Sequence, residues 1–456
     1  MDSLVALLLA QGGRPYLVGG CVRDGLWGQA IKDLDIEVFG LDWASLTQLV
    51  AGLLDVDLVG KSFGILKVKG YPIDISIPRR ERKSGVGHRG FEVDSDPNMS
   101  LEEAALRRDF TINALYFDLE NQTVLNPVGG LADLNARQLR HVSHRFCEDP
   151  LRVLRGMQLL ARFRLTCHPD TLALCRQIDW THLTAERIFE EFRKLILQGL
   201  EPSRGLQFLV DTGWIALFPE FQRLIGCPQN EELHPEGDVW NHTLSVMDAF
   251  ASARMGDPWE DLVVGWACLC HDLGKPQATK EVSGTWRAPN HGQKGVEPTQ
   301  TLLARLTRQT ELIEQVTPLV ANHLVPFYYF KEQAPDSAIR RLAMEVKRID
   351  RLVRVAQADH AGRPPIGQQP FAAGTWLLER ARALGVENQP PQSLIMGRHL
   401  IERGIKPGPH FKTVLAHCLE AQLEGAFADT ASGLVYLDQW LAQATHHPAD
   451  LSDRGS

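Results

Sequence analysis

Residues Tyr16 to Gly40, YLVGGCVRDGLWGQAIKDLDIEVFG, place the tightest constraint on how this chain folds. Tyr16-Leu17-Val18 reads as a short buried strand, which Gly19-Gly20 breaks. The spacing then predicts one or two helical turns over 21–27, ended by Gly28. Asp33, Asp35 and Glu37 alternate with Leu34, Ile36 and Val38. On a strand over 33–39 this puts three acids on one face and the aliphatics on the other. Carboxylates two residues apart on one face stand about 7 Å from each other. They repel unless a cation lies between them, and Mg²⁺, which takes oxygen ligands and bridges to phosphates, suits such a pair. Two such ions can clamp the attacking and leaving oxygens of a phosphoryl transfer. A solvated face of a half-buried sheet carries the same D-x-D pattern. Here the pattern follows a Gly-Gly turn with Arg23 and Asp24 just beyond it. Such a turn can bring backbone N–H groups near a triphosphate, and Arg23 can pair with phosphate oxygens.

Taken together, GGCVRDGLWG and KDLDIEVFG resemble the nucleotidyltransferase head of the polymerase-β superfamily. More closely, they look like the signature of bacterial tRNA nucleotidyltransferases of class II (CCA-adding enzymes) and their poly(A) polymerase relatives. The resemblance implies that Asp33 and Asp35 are the catalytic carboxylates and hold Mg²⁺. It places Gly19, Gly20, Arg23 and Asp24 at the nucleotide.

The 456 residues favour about three domains. With 44% hydrophobic and 23% charged residues, the chain can bury a sizeable core. No run of 18 apolar residues occurs, so no membrane span and no membrane partner are expected. The start, MDSLVALLLAQGG, lacks a basic n-region and reads as an amphipathic first helix rather than a signal peptide. Eight scattered cysteines without a CxxC read as reduced thiols of a cytoplasmic protein. A net charge of −8 argues against indiscriminate nucleic-acid binding. Yet Arg137 to Arg164 contains seven arginines against Glu148 and Asp149, a local excess of five positive charges, enough for one basic face that holds RNA.

Strands are expected near 56–59, 64–69 and 72–77, with Asp74 in the last as either a third carboxylate or a structural residue. Residues 79–100 are polar and Gly-rich and read as a long mobile loop. In the resembling family a flexible loop at this place helps switch addition from C to A. Ser100-Leu101-Glu102-Glu103 starts a helix expected to carry Arg107 to Asn113, with Asp109 and Asn113 on one face. Arg108, Asp109 and Asn113 also match the family's RRDxxxNA motif, which implies phosphate and sugar recognition. Pro150 fits the first turn of a helix with Leu151, Leu154, Leu159 and Phe163 as its buried stripe. Asp149 and Arg152 on it make an i,i+3 ion pair by spacing alone. They also match the family's EDxxR motif, where Asp and Arg act as a protein template for the Watson–Crick edge of the incoming base. Arg155 stands one turn on, within reach of the same nucleotide. Residues 168–225 are helical by pattern. Glu186 to Leu195 resembles the family's neck helix, most of its charges read as solvated, and 227–237 reads as a linker.

A second constellation follows. His242 opens a helix, His271-Asp272 ends the apolar segment 262–270, and His291, His323 and Asp359 come later. One histidine is more often structural than a ligand. The order H…HD…H…H…D matches the HD superfamily of metal-dependent phosphohydrolases. That resemblance implies that His242, His271, Asp272 and Asp359 hold a metal, with His291 and His323 adding a second. Imidazoles with carboxylates suit a transition metal such as Ni²⁺, Mn²⁺ or Co²⁺. In the tail, RGIKPGPHFKTVL resembles the tRNA-binding tail of the same enzymes.

The expected fold class is α+β: a polymerase-β-like head with a mixed sheet and helices (1–140), then an all-α neck with the base-template helix (141–228), an HD domain (229–365) and a helical tail (366–456). The expected partners are tRNA, CTP and ATP, with monomer and homodimer both open. A poly(A) polymerase, an A- or CC-adding enzyme, and an HD phosphohydrolase with an RNA-binding head are the rival readings.

Overall fold

The computed structural model describes residues 2–57, 64–83 and 91–446. Two compact units divide the chain, 1–222 and 223–456.

The first unit is built on a seven-stranded mixed sheet. Its strands are β1 (Arg14–Val18), β2 (Leu34–Phe39), β3 (Val56–Asp57), β4 (Ile65–Val68), β5 (Ile73–Ser76), β8 (Tyr116–Asp118) and β9 (Thr123–Leu125), in the order β3-β4-β5-β2-β1-β8-β9. Only β2 and β5 run parallel; the other neighbours are antiparallel. Of the strand expected at 56–59, residues 58–59 lie outside the described residues. Alternation fixes what each face meets. Ile36, Val38, Leu66, Val68 and Ile75 form one core with Leu4 and Leu8 of α1 (Asp2–Ala10) and Leu46 and Val50 of α3 (Trp43–Leu53). The intervening residues, Asp35 and Glu37 on β2 and Asp74 and Ser76 on β5, therefore point to the opposite face. There Tyr16, Val18, Phe39 and Tyr116 make a second, smaller core with Met99 and Ala104.

Two expectations change here. The loop expected over 79–100 is largely a hairpin, β6 (Arg79–Lys83) with β7 (Phe91–Ser95), whose register sets Arg80 opposite Asp94 and Arg82 opposite Glu92. Backbone N–H and C=O groups pair without apolar side chains, so a polar composition does not keep the segment out of a ladder. Its residues 84–90 lie outside the described residues. The helix expected to run from Ser100 through Asn113 stops early. α4 covers only Leu101–Ala105, started by a capping box between Ser100 and Glu103. Asp109 then turns its own carboxylate to the backbone N–H of Phe110 at 2.7 Å, a local bond that competes with helix. Asp109 and Asn113 lie near each other through a turn and a 3₁₀ segment, not through a helix face.

Helices Leu151–Phe163, Ala185–Gln198 and Pro202–Thr212 complete this unit. The expected head and neck share it because Phe110 packs 3.2 Å from where a Cβ would stand on Gly156. The second unit is helical. Helices Val239–Ser252, Pro258–Cys270, Thr310–Asn322 and Ile349–Ala361 pack about a fully buried centre that includes Val246, Trp266, Val316 and Val355. The tail helices join it through Arg341, which pairs with Glu420 at 3.1 Å and with Glu424.

Candidate active sites

The parallel register of β2 and β5 sets Asp35 directly beside Asp74 and Glu37 beside Ser76. A cavity of about 280 Å³ opens over them, walled by Arg107, Arg108, Asp109, Arg152 and Arg155. Water reaches the edge of Asp35, but its position in the recess desolvates it and raises its carboxyl above the usual range; Arg108 opposes the rise, while Asp74 and Asp33 add to it. Asp74 is steadied by Lys67 at 3.1 Å. Asp33 stands one residue before β2 and is exposed. Crowded carboxylates of raised affinity for a positive charge fit a divalent cation of the Mg²⁺ type. Glu37 is a different case. It is buried, 3.8 Å from Arg107 and 3.5 Å from Arg108, and so braces the arginine wall rather than joining the carboxylate cluster. Arg108 also lies over the Tyr116 ring at 5.3 Å.

Gly19 has φ +75°, and a Cβ there would come within 3.1 Å of Arg108 Nη1. Only glycine lets the chain turn so close to the cavity wall. Gly20 opens α2 (Gly20–Leu26), which carries Arg23 and Asp24. Arg23 is buried and its guanidinium is engaged: Nε donates to Asp24 at 2.8 Å, Nη1 to Asn113 at 2.5 Å, and the group lies 4.4 Å over the Phe163 ring. Asn113 in turn donates to Asp109 at 3.1 Å, and Asp109 meets Arg155 at 3.2 Å. Burial alone would raise the Asp109 carboxyl, yet Arg155 and these hydrogen bonds bring it below the usual range. Arg23, Asn113, Asp109 and Arg155 thus form one chain of charge-assisted contacts.

Asp149 and Arg152 do not pair with each other as i,i+3 spacing suggests. Arg152 donates to the carbonyls of Arg145 at 2.8 Å and Arg107 at 2.7 Å. Asp149 accepts from the backbone N–H of Leu151 at 3.1 Å and from Arg187 at 2.7 Å. Arg152 lines the cavity, whereas Asp149 sits at the head of the helix beside it. Arg187 was among the charges read as solvated; its partner lies 38 residues away, beyond what spacing reveals.

In the second unit, six side chains from five segments converge and all are buried: His242, His271, Asp272, His291, His323 and Asp359. His242 Nε2 is 3.1 Å from Asp359 and 3.9 Å from Asp272. Asp272 is 3.1 Å from His271 Nε2, 3.2 Å from His291 Nε2 and 3.9 Å from His323 Nε2. The local device is repeated. His271 and His323 each end a helix and turn Nδ1 to the carbonyl three residues back, Cys268 at 2.7 Å and Val320 at 2.8 Å. His291 does the same with Ala288 at 2.8 Å. A ring N–H given to an orphan carbonyl leaves Nε2 a bare lone pair aimed inward. Two such atoms, on His291 and His323, face each other at 3.2 Å. Two lone pairs at that distance repel, and a proton or a metal ion between them relieves the repulsion. Both oxygens of Asp272 and Nε2 of His271 are buried without a well-formed hydrogen bond. His242, His271 and Asp359 can hold one ion, and Asp272, His291 and His323 another. Imidazole-rich donors of this kind fit a transition metal.

The electrostatics agree. Burial, with His291 and His271 adding, lowers His323 to about 3, so it stays neutral as a ligand must. Burial works against ionising Asp272, yet His271 and Lys275 hold its carboxyl well below the usual range. Gly274 keeps the turn tight: a Cβ there would sit 2.0 Å from the His291 carbonyl oxygen. The stretch 227–237, expected as a linker, belongs to the site. Glu236 lies 2.7 Å from His242 Nδ1 and 2.9 Å from His234 Nδ1, and burial notwithstanding, these two histidines pull it down to about 2. A carboxylate behind a ligating histidine orients it. The His-x-Glu spacing was the one available signal, masked by the Pro and Gly around it.

Comparison with known proteins agrees with this geometry. Residues 15–140 match the family described as "Poly A polymerase head domain", 165–225 that described as "Probable RNA and SrmB- binding site of polymerase A", and 239–355 the "HD domain". The chain is 38% identical over 416 residues to the "Multifunctional CCA protein" of Xanthomonas campestris pv. campestris (strain B100), covering 88% of this chain and 96% of that one. It is 36% identical over 365 residues to the protein of the same name from Xylella fastidiosa (strain M12), covering 77% and 84%. In fold it is similar to the Bacillus stearothermophilus CCA-adding enzyme in complex with CTP, with TM-score 0.67, 22% identity and 97% of each chain covered. It is also similar to the Thermotoga maritima CCA-adding enzyme complexed with tRNA, with TM-score 0.58, 20% identity and 96% and 94% covered. The expected α+β class, with a mixed-sheet head followed by helical segments, is the class observed.

Proposed function

The chain belongs to the family of multifunctional CCA proteins, and on that premise we propose that its first unit adds the 3′-terminal CCA of tRNA from CTP and ATP without a nucleic-acid template, while its second hydrolyses phosphate esters at RNA ends. The observation that carries the first half is Asp35 beside Asp74 in a cavity walled by arginines. Mg²⁺ held by Asp33 and Asp35, with Asp74 adjacent, supplies charge neutralisation at the reacting phosphate. The terminal tRNA hydroxyl attacks the α-phosphorus, and pyrophosphate leaves. Arg108, braced by Glu37 and Tyr116, faces the triphosphate with the Gly19-Gly20 turn. The Arg23–Asn113–Asp109–Arg155 chain fixes the groups that meet the sugar and phosphate. Arg152 and Asp149 read the base edge, a fork of donors beside a pair of acceptors. Their anchors, two backbone carbonyls and Arg187, restrict them to one orientation, so that positioning does the catalytic and selective work. In this reading 1–140 is the head, 141–228 the neck with its template helix, 229–365 the HD domain and 366–456 a tRNA-binding tail.

For the second half, a transition metal such as Ni²⁺, Mn²⁺ or Co²⁺ in the His/Asp set supplies Lewis acidity toward water and phosphoryl oxygens near neutral pH. The chain keeps the six side chains buried and orients the four histidines among them through backbone carbonyls and Glu236. A 2′,3′-cyclic phosphate leaves an RNA end no free 3′-hydroxyl. Water adds at phosphorus, the P–O3′ bond breaks and the 3′ oxygen takes a proton; a second hydrolysis releases inorganic phosphate. Carrying both activities on one chain raises the local concentration of the repaired end for extension. Incubation with 2′,3′-cyclic AMP and with 2′-AMP across Ni²⁺, Mn²⁺, Co²⁺ and Mg²⁺ tests this half, and no turnover with any of them defeats it. Extension of a tRNA lacking its CCA, with each nucleotide in turn, tests the first and separates it from poly(A) addition.

A further inference from the structure

A cavity of about 750 Å³ opens beside the His/Asp cluster, with Asp272, His291, His323 and Asp359 in its lining. Its size falls in the range of small-molecule sites. Its rim is unusual. Leu233, Trp286 and Tyr328 are 53%, 39% and 58% exposed, and all three line this one cavity. Trp286 stands on the hairpin formed by Lys280–Val282 and Thr285–Arg287, and Tyr328 on helix Val325–Glu332. Among the described residues neither ring stacks on another aromatic ring or makes a side-chain hydrogen bond, so nothing in the fold accounts for their exposure. Deeper in the wall is Arg363, four residues beyond the ligand Asp359. Its side chain is only 16% exposed and its guanidinium is fixed 5.3 Å over the Phe327 ring. Nε faces the Asp359 carbonyl at 3.3 Å, while Nη2 is buried with no acceptor among the described residues. A buried donor left open in a cavity wall is what an anionic oxygen would satisfy.

We propose that this rim is a nucleoside subsite: the base of an unpaired nucleotide bearing a 2′- or 2′,3′-cyclic phosphate stacks on Trp286 and Tyr328 while Arg363 Nη2 donates to its phosphate at the His/Asp cluster. This deepens, and rests on, the hydrolase reading of the second unit. The subsite selects a nucleotide over a bare phosphate ester without selecting the base. Stacking tolerates every base, since each presents a π-face. Gln229 beside the rim is engaged at both ends, with Lys275 and the Gly237 carbonyl, and the Asn230 side-chain oxygen accepts from the backbone N–H groups of Glu232 and Leu233.

The test is calorimetric titration of the full-length, chelator-treated protein with the 2′-monophosphates of all four nucleosides and, separately, with inorganic phosphate. The four nucleotides are expected to bind within roughly tenfold of one another. Trp286→Ala and Tyr328→Ala, with unchanged unfolding midpoints, are each expected to weaken nucleotide binding about 5- to 100-fold and to leave phosphate binding alone. Trp286→Phe is expected to keep most of the affinity, and Arg363→Met to weaken nucleotide and phosphate alike. An oligoribonucleotide ending in a 2′-phosphate, titrated in parallel, separates RNA ends from free nucleotides; loss of affinity for either ligand in Trp286→Ala supports the subsite. Nucleotide binding indifferent to both rim variants overturns it, as does an equal loss for inorganic phosphate. Hydrolysis of 2′,3′-cyclic AMP by the Ni²⁺- or Mn²⁺-loaded protein is followed alongside. Rim-dependent binding with no hydrolysis defeats the hydrolase reading and keeps the subsite; hydrolysis with a KM unmoved by Trp286→Ala does the reverse.

Discussion

Two carboxylates side by side across parallel strands repel unless something positive lies between them; desolvation in the recess raises the Asp35 carboxyl first, Arg108 opposes the rise, and Asp74 and Asp33 add to it. Asp35→Asn is therefore expected to lower nucleotide addition by on the order of 10²- to 10³-fold or more. The unfolding midpoint of the metal-free protein should stay the same or rise, because a desolvated charge and its repulsion by Asp74 have been removed; a lowered midpoint would make Asp35 a structural residue. The proposed template pair, Asp149 and Arg152, gives a second test. Arg187 fixes the Asp149 carboxylate, so Arg187→Ala should relax base choice, with UTP and GTP incorporation rising against CTP and ATP. A uniform loss over all four nucleotides would show that the contact serves the fold alone. The place of Asp35 was legible because strand alternation needs only local sequence, whereas Asp33 stands just before the strand. The place of Asp74 required a register, and the Asp149–Arg187 contact joins two helices that no spacing rule connects.

Elements were legible where one period dominated and obscured where local polar bonds competed. The strands around Asp35 and the helices Leu151–Phe163 and Pro258–Cys270 follow their apolar patterns. Residues 107–113 leave the helix because Asp109 bonds its own backbone, and Arg79–Lys83 pairs with Phe91–Ser95 although both segments are polar in composition. The short 227–237 segment carries Glu236 to a ligand histidine although its composition is that of a connector. Packing between elements gives a pH prediction. Glu260 on helix Pro258–Cys270 takes two hydrogen bonds from Arg351 on helix Ile349–Ala361, both 2.6 Å. Arg351 thereby lowers the Glu260 carboxyl from its ordinary 4.5. A lowered folded-state value means this stabilisation is complete above pH 4.5 and is lost as pH falls through the folded value below it. Glu260→Gln should thus cost the second unit about 1–3 kcal/mol near pH 7, with the gap from wild type closing only below pH 4.5; a gap that closed near pH 6 would assign the effect elsewhere. The turn at Gly274 gives another. Gly274→Ala must push the His291 carbonyl away, and should lower transition-metal occupancy while leaving the first unit's unfolding unchanged.

On the scale of the whole molecule, the chain divides into two compact units, each with its own core and its own cluster of carboxylates or imidazoles. That division was visible early, since the D-x-D turn and the dispersed H…HD…H…H…D order lie in separate halves of the sequence. It also predicts separable losses: His271→Ala should abolish phosphoester hydrolysis and leave nucleotide addition within about twofold. The most direct measurement is extension of a tRNA that ends just before its CCA, resolved to single nucleotides, with CTP alone, ATP alone and both, by the wild-type protein and by Asp35→Asn. The proposed activity predicts two added residues with CTP, none with ATP alone and three ending in A with both, all lost in Asp35→Asn. A long A tract with ATP alone, or the same extension by Asp35→Asn as by wild type, would contradict it.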